Sequence, residues 1–148
     1  MNAIESMIMR VRELRGAIDE EMRAAVAEYS DIIIDMVAND QLYERGINGR
    51  GVEISSYEPY HMSTIRIKLK KGQPVDRVTL RDTGRFHRSF KLRTDAEGFY
   101  IEPTDGKTEM LKNRYGSLIL RLSPDNVSEL LRGYIRPYLV KRLKNHYL

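Results

Sequence analysis

The run from Val78 to Arg93, VTLRDTGRFHRSFKLR, decides how the rest of the chain is read. Five basic side chains (Arg81, Arg85, Arg88, Lys91, Arg93) are threaded among Val78, Leu80, Phe86, Phe90 and Leu92, with a Thr-Gly pair in the middle. Three readings compete: a nucleic-acid groove, a catalytic turn, or one corner of a structural fold that assembles with its own copies. Locally, VTL is strand-like, whereas Asp82 and Thr83 are good helix N-caps. A short helix from Gly84 to about Ser89 would set Phe86 and Phe90 four apart on one face and leave Arg85 and Arg88 exposed. Gly84 is expected to take a positive φ or to permit a close backbone approach, with Thr83 or Asp82 capping the helix. Phe86 and Phe90 are expected to be buried against the terminal helices.

Working outward, residues 1–45 read as one long helix. Positions 4, 8, 11, 15, 18, 22, 25, 29, 32 and 36 step by four and three, and all but Arg15 are apolar or aromatic. Gly16 is a candidate kink, and the helix should end before Gly46. A helix of about 35 residues spans about 52 Å, more than a domain of this size needs, so part of it should reach a neighbour. Residues 46–76 form a basic loop and strand region. Its TIRIKLK (64–70) alternates Ile65, Ile67 and Leu69 with Arg66, Lys68 and Lys70, which argues for a strand with one basic face. With Lys71, these cations are candidates for contact with DNA, a lumen or another subunit, and the charges of Lys68, Lys70 and Lys71 should be reversible without unfolding the monomer.

Residues 77–122 are expected to form a β-sheet with short helices. FKLRT (90–94) and GFYIEP (98–103) make a hairpin across Asp95-Ala96-Glu97-Gly98. Residues 105–115 are helical and stop at Gly116, and alternating leucines at 118–122 suggest one more strand. Residues 123–148 form a C-terminal helix with Ser123 as N-cap, Pro124 in the first position and a kink at Pro137. The whole is read as one α+β domain, a long N-terminal helix and a C-terminal helix packed on a small, mainly antiparallel β-sheet.

Composition narrows the function. The 148 residues are 41% hydrophobic and 31% charged, which is a folded rather than a disordered composition. The absence of cysteine excludes disulfides, thiolate metal sites and cysteine catalysis, and fits a reducing compartment. The N-terminus is amphipathic rather than signal-like, and no apolar run is long enough to cross a membrane. The net charge of +4 conceals a split: residues 1–45 carry −5 and residues 46–94 carry +7. Such a chain could bind nucleic acid through its basic part, or present unlike faces to its own copies.

No catalytic set emerges. His61, His87 and His146 are scattered and read as surface or structural histidines. Ser89 lacks a nucleophile elbow, and Asp105, Glu109 and Lys112 read as an exposed helix face with a capping Asp rather than a nuclease-like triad. No cofactor or metal site is expected. The basic run interleaves aromatic and cationic residues as single-strand grooves do, yet its phenylalanines fall at core spacing. A basic nucleic-acid-binding module therefore stays as the alternative.

The run DTGRFHRSFKL (82–92) resembles the T-G-[RDE]-[LF]-x-x-S-[FI] signature of the tail-completion, or head–tail joining, proteins of long-tailed bacteriophages, and the related Mu-type virion-morphogenesis proteins. YGSLILRLSPDN (115–126) is similar to such proteins from phages of Bacteroidetes-type hosts. The resemblance implies that Asp82, Thr83 and Gly84 start a turn, Arg85 is its polar position, Phe86 packs inward, and Ser89 and Phe90 lead into the next strand. Phe86 stands where leucine is more usual, and the 46–75 connection is long. The resemblance further implies a virion protein made in the host cytoplasm and no enzyme. It would form a ring of its own copies, most often sixfold, between connector or portal-side and tail-tube proteins, with nonspecific DNA contact and no membrane.

Overall fold

The computed structural model describes residues 2–146, so the last two positions of the expected C-terminal helix lie outside the described residues. The fold is α+β: a long N-terminal helix, a C-terminal helix and a two-stranded antiparallel sheet. The chain divides into two compact units. One comprises Met1–Ser30 with Ser128–Leu148, the other Asp31–Val127.

In the first unit, helix α1 (Ala3–Glu28) starts in a capping box, with Asn2 accepting from the Glu5 amide and Glu5 accepting from the Asn2 amide. Gly16 lies inside α1 without a break. The helix stops at Tyr29, so the expected single helix from Ile4 to Met36 is divided here. Helix α2 (Ser30–Asp35) carries the chain into the second unit, where a π-helical stretch (Met36–Arg45) runs to Gly46, whose left-handed conformation ends it. Opposite α1 run a π turn (Leu131–Ile135) and α7 (Arg136–His146), which continue from α6 (Pro124–Leu130). The widened turn sits just upstream of Pro137, which has no N–H to return to the preceding turn. Tyr29 packs against Tyr134 and Tyr138, and the nearly buried Glu21 accepts a 3.1 Å hydrogen bond from Arg142. Ala17 and Ala25, small and buried, let the two helices approach closely.

In the second unit, three segments differ from expectation. TIRIKLK is helical, within α3 (Met62–Lys70). Seven alternating residues also satisfy a helix: Thr64, Ile65 and Lys68 turn inward at spacings of three and four, while Ile67 and Leu69 stay exposed. VTL is not a strand. Val78, Thr79 and Leu80 are buried in succession rather than alternately, Thr79 donates its amide to Tyr60 Oη at 3.0 Å, and Leu80 has φ +53°. Leu118 and Leu120 lie in a 3₁₀ turn (Ser117–Leu120) that ends before Leu122, with neighbours Ile119 and Leu120 both buried. The 48–50 loop crosses this turn so tightly that a Cβ on Gly49 would lie 2.6 Å from Arg121 Cβ and 2.9 Å from two carbonyl oxygens.

The remaining elements follow the expectation closely. Helix α4 (Arg85–Arg88) leads into β1 (Phe90–Asp95) and β2 (Gly98–Pro103), which pair antiparallel with Leu92 opposite Ile101. Asp95 Oδ1 accepts from the Glu97 and Gly98 amides and closes the hairpin turn. Helix α5 (Thr108–Tyr115) ends at Gly116. Ser123, Pro124 and Asp125 open α6 as expected, with the Val127 amide donating to the Ser123 carbonyl. Val37, Leu42, Ile54, Val78, Phe86, Phe90, Ile101 and Ile119 share one apolar core.

Candidate functional site

The Thr-Gly motif forms a corner in which every residue but the exposed Arg85 has a structural task. Asp82 is held by Lys71 Nζ at 2.7 Å and by Gln73, and these donors, Lys71 foremost, keep its carboxyl below the usual carboxylate range. Gly84 takes φ +87°, which an L side chain rarely adopts, and a Cβ there would meet the Arg88 guanidinium at 2.7 Å. Thr83 Oγ1 accepts from the Arg85 amide at 3.3 Å, and the Thr83 carbonyl accepts from Arg88 Nη1. Ser89 Oγ donates back to the Phe86 carbonyl at 2.7 Å, while the Ser89 carbonyl accepts from the Thr104 amide and ties the corner to the hairpin. Phe86 and Phe90 stack edge to face with centroids 5.0 Å apart. They are buried as expected, but in the core with Val37 and Leu42; among the described residues, none of the C-terminal helix belongs to that cluster.

Beside the corner lies a cleft of about 450 Å³. Lys68, Arg81, Arg85 and Lys107 line it, with Asp82 and Asp105 as the acidic members and Leu80, Phe86 and Met110 among the apolar ones. Arg85 is exposed, as expected. This surface can hold an acidic side chain or a phosphate through charge-assisted hydrogen bonds. Among the described residues, no three potential metal-ligating side chains come together. Asp105 Oδ1 accepts from the Lys107 amide, and Lys112 lies 3.7 Å from Glu109 on the exposed side of α5.

The four loop cations do not form one exposed face. Arg66 and Lys70 are exposed. Lys71 is paired with Asp82. Lys68 is buried: its Nζ donates to the Arg81 carbonyl at 2.9 Å and to Gln73 Oε1 at 3.3 Å, and lies 5.0 Å from the centre of the Tyr60 ring. The expectation that Lys68, Lys70 and Lys71 tolerate charge reversal together is therefore corrected for Lys68. Lys68→Glu should lower stability by roughly 2 kcal/mol or more, whereas Lys70→Glu should stay within about 0.5 kcal/mol; urea denaturation of the two variants checks this. Nothing in the alternating pattern of 64–70 distinguishes Lys68 from Lys70.

No protein-family model, curated protein or solved structure matches this chain. The site therefore rests on its own geometry.

On the far side of Gly84, His87 lies in a cleft of about 320 Å³ that also holds Asp31, Asp35, Arg81 and Arg88. Within the described residues neither ring nitrogen of His87 has a partner that meets hydrogen-bond geometry, although the Thr79 backbone is near enough to favour the charged form slightly. Burial dominates and pulls the His87 pKa from 6.5 down to about 4, assisted by the charges of Arg81 and Lys68. The unfolded chain thus binds a proton near pH 6.5 that the folded chain refuses until about pH 4. Stability contributed by neutral His87 is complete above about pH 7 and is lost as pH falls through this window, about 3 kcal/mol by pH 4. Denaturation curves at both ends of the window should show this loss in the wild type relative to His87→Leu; equal slopes for the two would contradict it.

Proposed function

We propose that the chain is a structural protein of a bacteriophage virion, part of the ring at the head–tail junction or of tail completion. One observation carries the reading: all of the T-G-R-F-x-x-S-F motif except its exposed arginine is used for building. Its glycine sits at a left-handed corner, its two phenylalanines stack in the core, and its serine and threonine hydrogen-bond the backbone. A motif used in this way supplies a rigid corner and displays Arg85 and its basic neighbours beside a cleft, as a subunit contact requires. Unlike faces that meet head to tail close into a ring when the rotation per copy divides a full turn. The net charges of the acidic 1–45 and basic 46–94 segments, −5 and +7, support unlike surfaces of this kind. The exposure of Arg66 and Lys70 supports a sequence-independent contact with a phosphate backbone.

The test is electron microscopy of virions made from a genome carrying this chain, alongside the same particles made with an Arg85→Glu, Lys107→Glu chain. The expected result is ring density for this protein at the head–tail junction or tail end in the first and tailless or unjoined particles in the second. Intact virions lacking the protein would overturn the reading, as would an enzymatic turnover abolished by one side-chain change.

A further inference from the structure

Helix α1 continues well past the helix it packs on. Glu21 meets Arg142, and Tyr29 meets Tyr134, so α7 runs antiparallel to α1 and its last residue, His146, comes level with Ala17. The stretch from Ala3 to Gly16, about 21 Å at 1.5 Å per residue, extends beyond that point. None of residues 2–16 is buried. Ile4, Met7, Ile8, Val11 and Leu14 are all large, apolar and between 42% and 70% exposed. Ile4, Met7, Ile8 and Val11, with Arg12 and Arg15, border one open hollow of about 490 Å³. A contiguous apolar strip on a preformed helix is a docking surface, and its charges state what docks.

We infer that this strip pairs with the same strip of a second copy of the chain, antiparallel. The seam positions are Ile4, Ile8, Val11 and Arg15, at steps of four, three and four. In a parallel pair each faces its own copy, which sets Arg15 against Arg15, two like charges face to face at one end of the seam. Antiparallel pairing about a two-fold axis between Met9 and Arg10 sets Ile8 against Val11 twice. It also sets each Arg15 opposite Ile4 instead of its own copy, where a long side chain can lay its stem on the partner and keep its charge in water. The flanks then agree on both sides. Glu5 of one copy lies beside Arg12 of the other, twice by symmetry, and Met7 lies beside Leu14. No parallel register supplies the charge pairs. A two-fold contact closes on itself and uses none of the corner or its cleft, so its failure would leave the ring reading unchanged.

The test is sedimentation equilibrium of the full chain up to about 100 µM, a range in which a two-heptad contact of modest affinity populates the dimer. Ile8→Asp should give monomer at every concentration with unchanged helicity. Arg12→Glu should weaken dimerisation at least tenfold, and Glu5→Arg combined with Arg12→Glu should restore it to within a few-fold, even though Glu5→Arg removes the capping contact to Asn2. Because the chain has no cysteine, the register can be read directly. A mixture of Ile4→Cys and Arg15→Cys chains should oxidise to the mixed 4–15 disulfide. Predominant 4–4 and 15–15 disulfides would overturn the antiparallel seam. A monomeric wild type would overturn the pairing altogether, and so would a monomer that binds anionic vesicles through this strip, or a dimer indifferent to Arg12→Glu.

Discussion

Phe86→Ala is expected to lower the stability of the Asp31–Val127 unit by about 3–5 kcal/mol. The ring is buried, it meets Phe90 edge to face, and it sits where the core residues of the π-helical stretch and the hairpin converge. Truncation removes apolar burial and leaves a cavity whose walls are fixed from three sides. Phe90 loses its stacking partner, and β1, which starts at Phe90, loses its anchor. Native domains hold a margin of about 5–15 kcal/mol, so the loss removes a large share of it. Urea denaturation followed by tyrosine fluorescence measures the effect, and Phe99→Ala, at a ring 36% exposed, is the control that should lose far less. A Phe86→Ala loss under about 1 kcal/mol would mean that this ring is not part of the core.

Gln41→Leu should be nearly as damaging, about 3 kcal/mol or more, although the two side chains have similar volume. Gln41 is fully buried in the π-helical stretch. Its Nε2 donates to the Arg121 carbonyl at 2.8 Å, and its Oε1 accepts from the Ser123 amide at 2.8 Å and from Asn126 Nδ2 at 3.0 Å. Leucine would leave one carbonyl, one amide N–H and one carboxamide N–H buried with a lost partner each, in a medium where such groups are costly. Amide hydrogen exchange gives the sharpest readout. The Ser123 N–H should lose its protection in the variant while the hairpin amides keep theirs; an equally protected Ser123 would show that another acceptor takes over.

These two residues also show what was legible in the sequence. The phenylalanines were legible because their spacing, the Thr-Gly turn and the strand after it all obey local rules. The same holds for the hairpin, for the stops at Gly46 and Gly116, and for the start of α6 at Ser123. Gln41 was not legible, because a buried amide shows itself only when its partners, some eighty residues away, are in place. The strand expected at 64–70 failed for a related reason. Period two over seven residues also fits two helical turns, and the tertiary setting buried Thr64, Ile65 and Lys68 instead of Ile67 and Leu69. The run 118–122 failed because its neighbours Ile119 and Leu120 are both inward, which a 3₁₀ turn permits and a strand does not. The π-helical stretches left no signal in apolar spacing that separates them from an ordinary helix.

The β1–β2 ribbon has a further consequence. Each strand pairs only with the other, so among the described residues both long borders carry backbone amides and carbonyls with no strand alongside. Phe99 and Tyr100 stand exposed near its tip. Such a ribbon is a template on which other extended chains can stack. What discourages stacking is the charge along it: Lys91 and Arg93 on one strand, Glu102 on the other, and Pro103, which lacks a donor, at the inner end. In a chain whose corner depends on that ribbon, these side chains act as gatekeepers against fibre formation, and neutral β-branched residues in their place would favour insoluble aggregates over the folded protein.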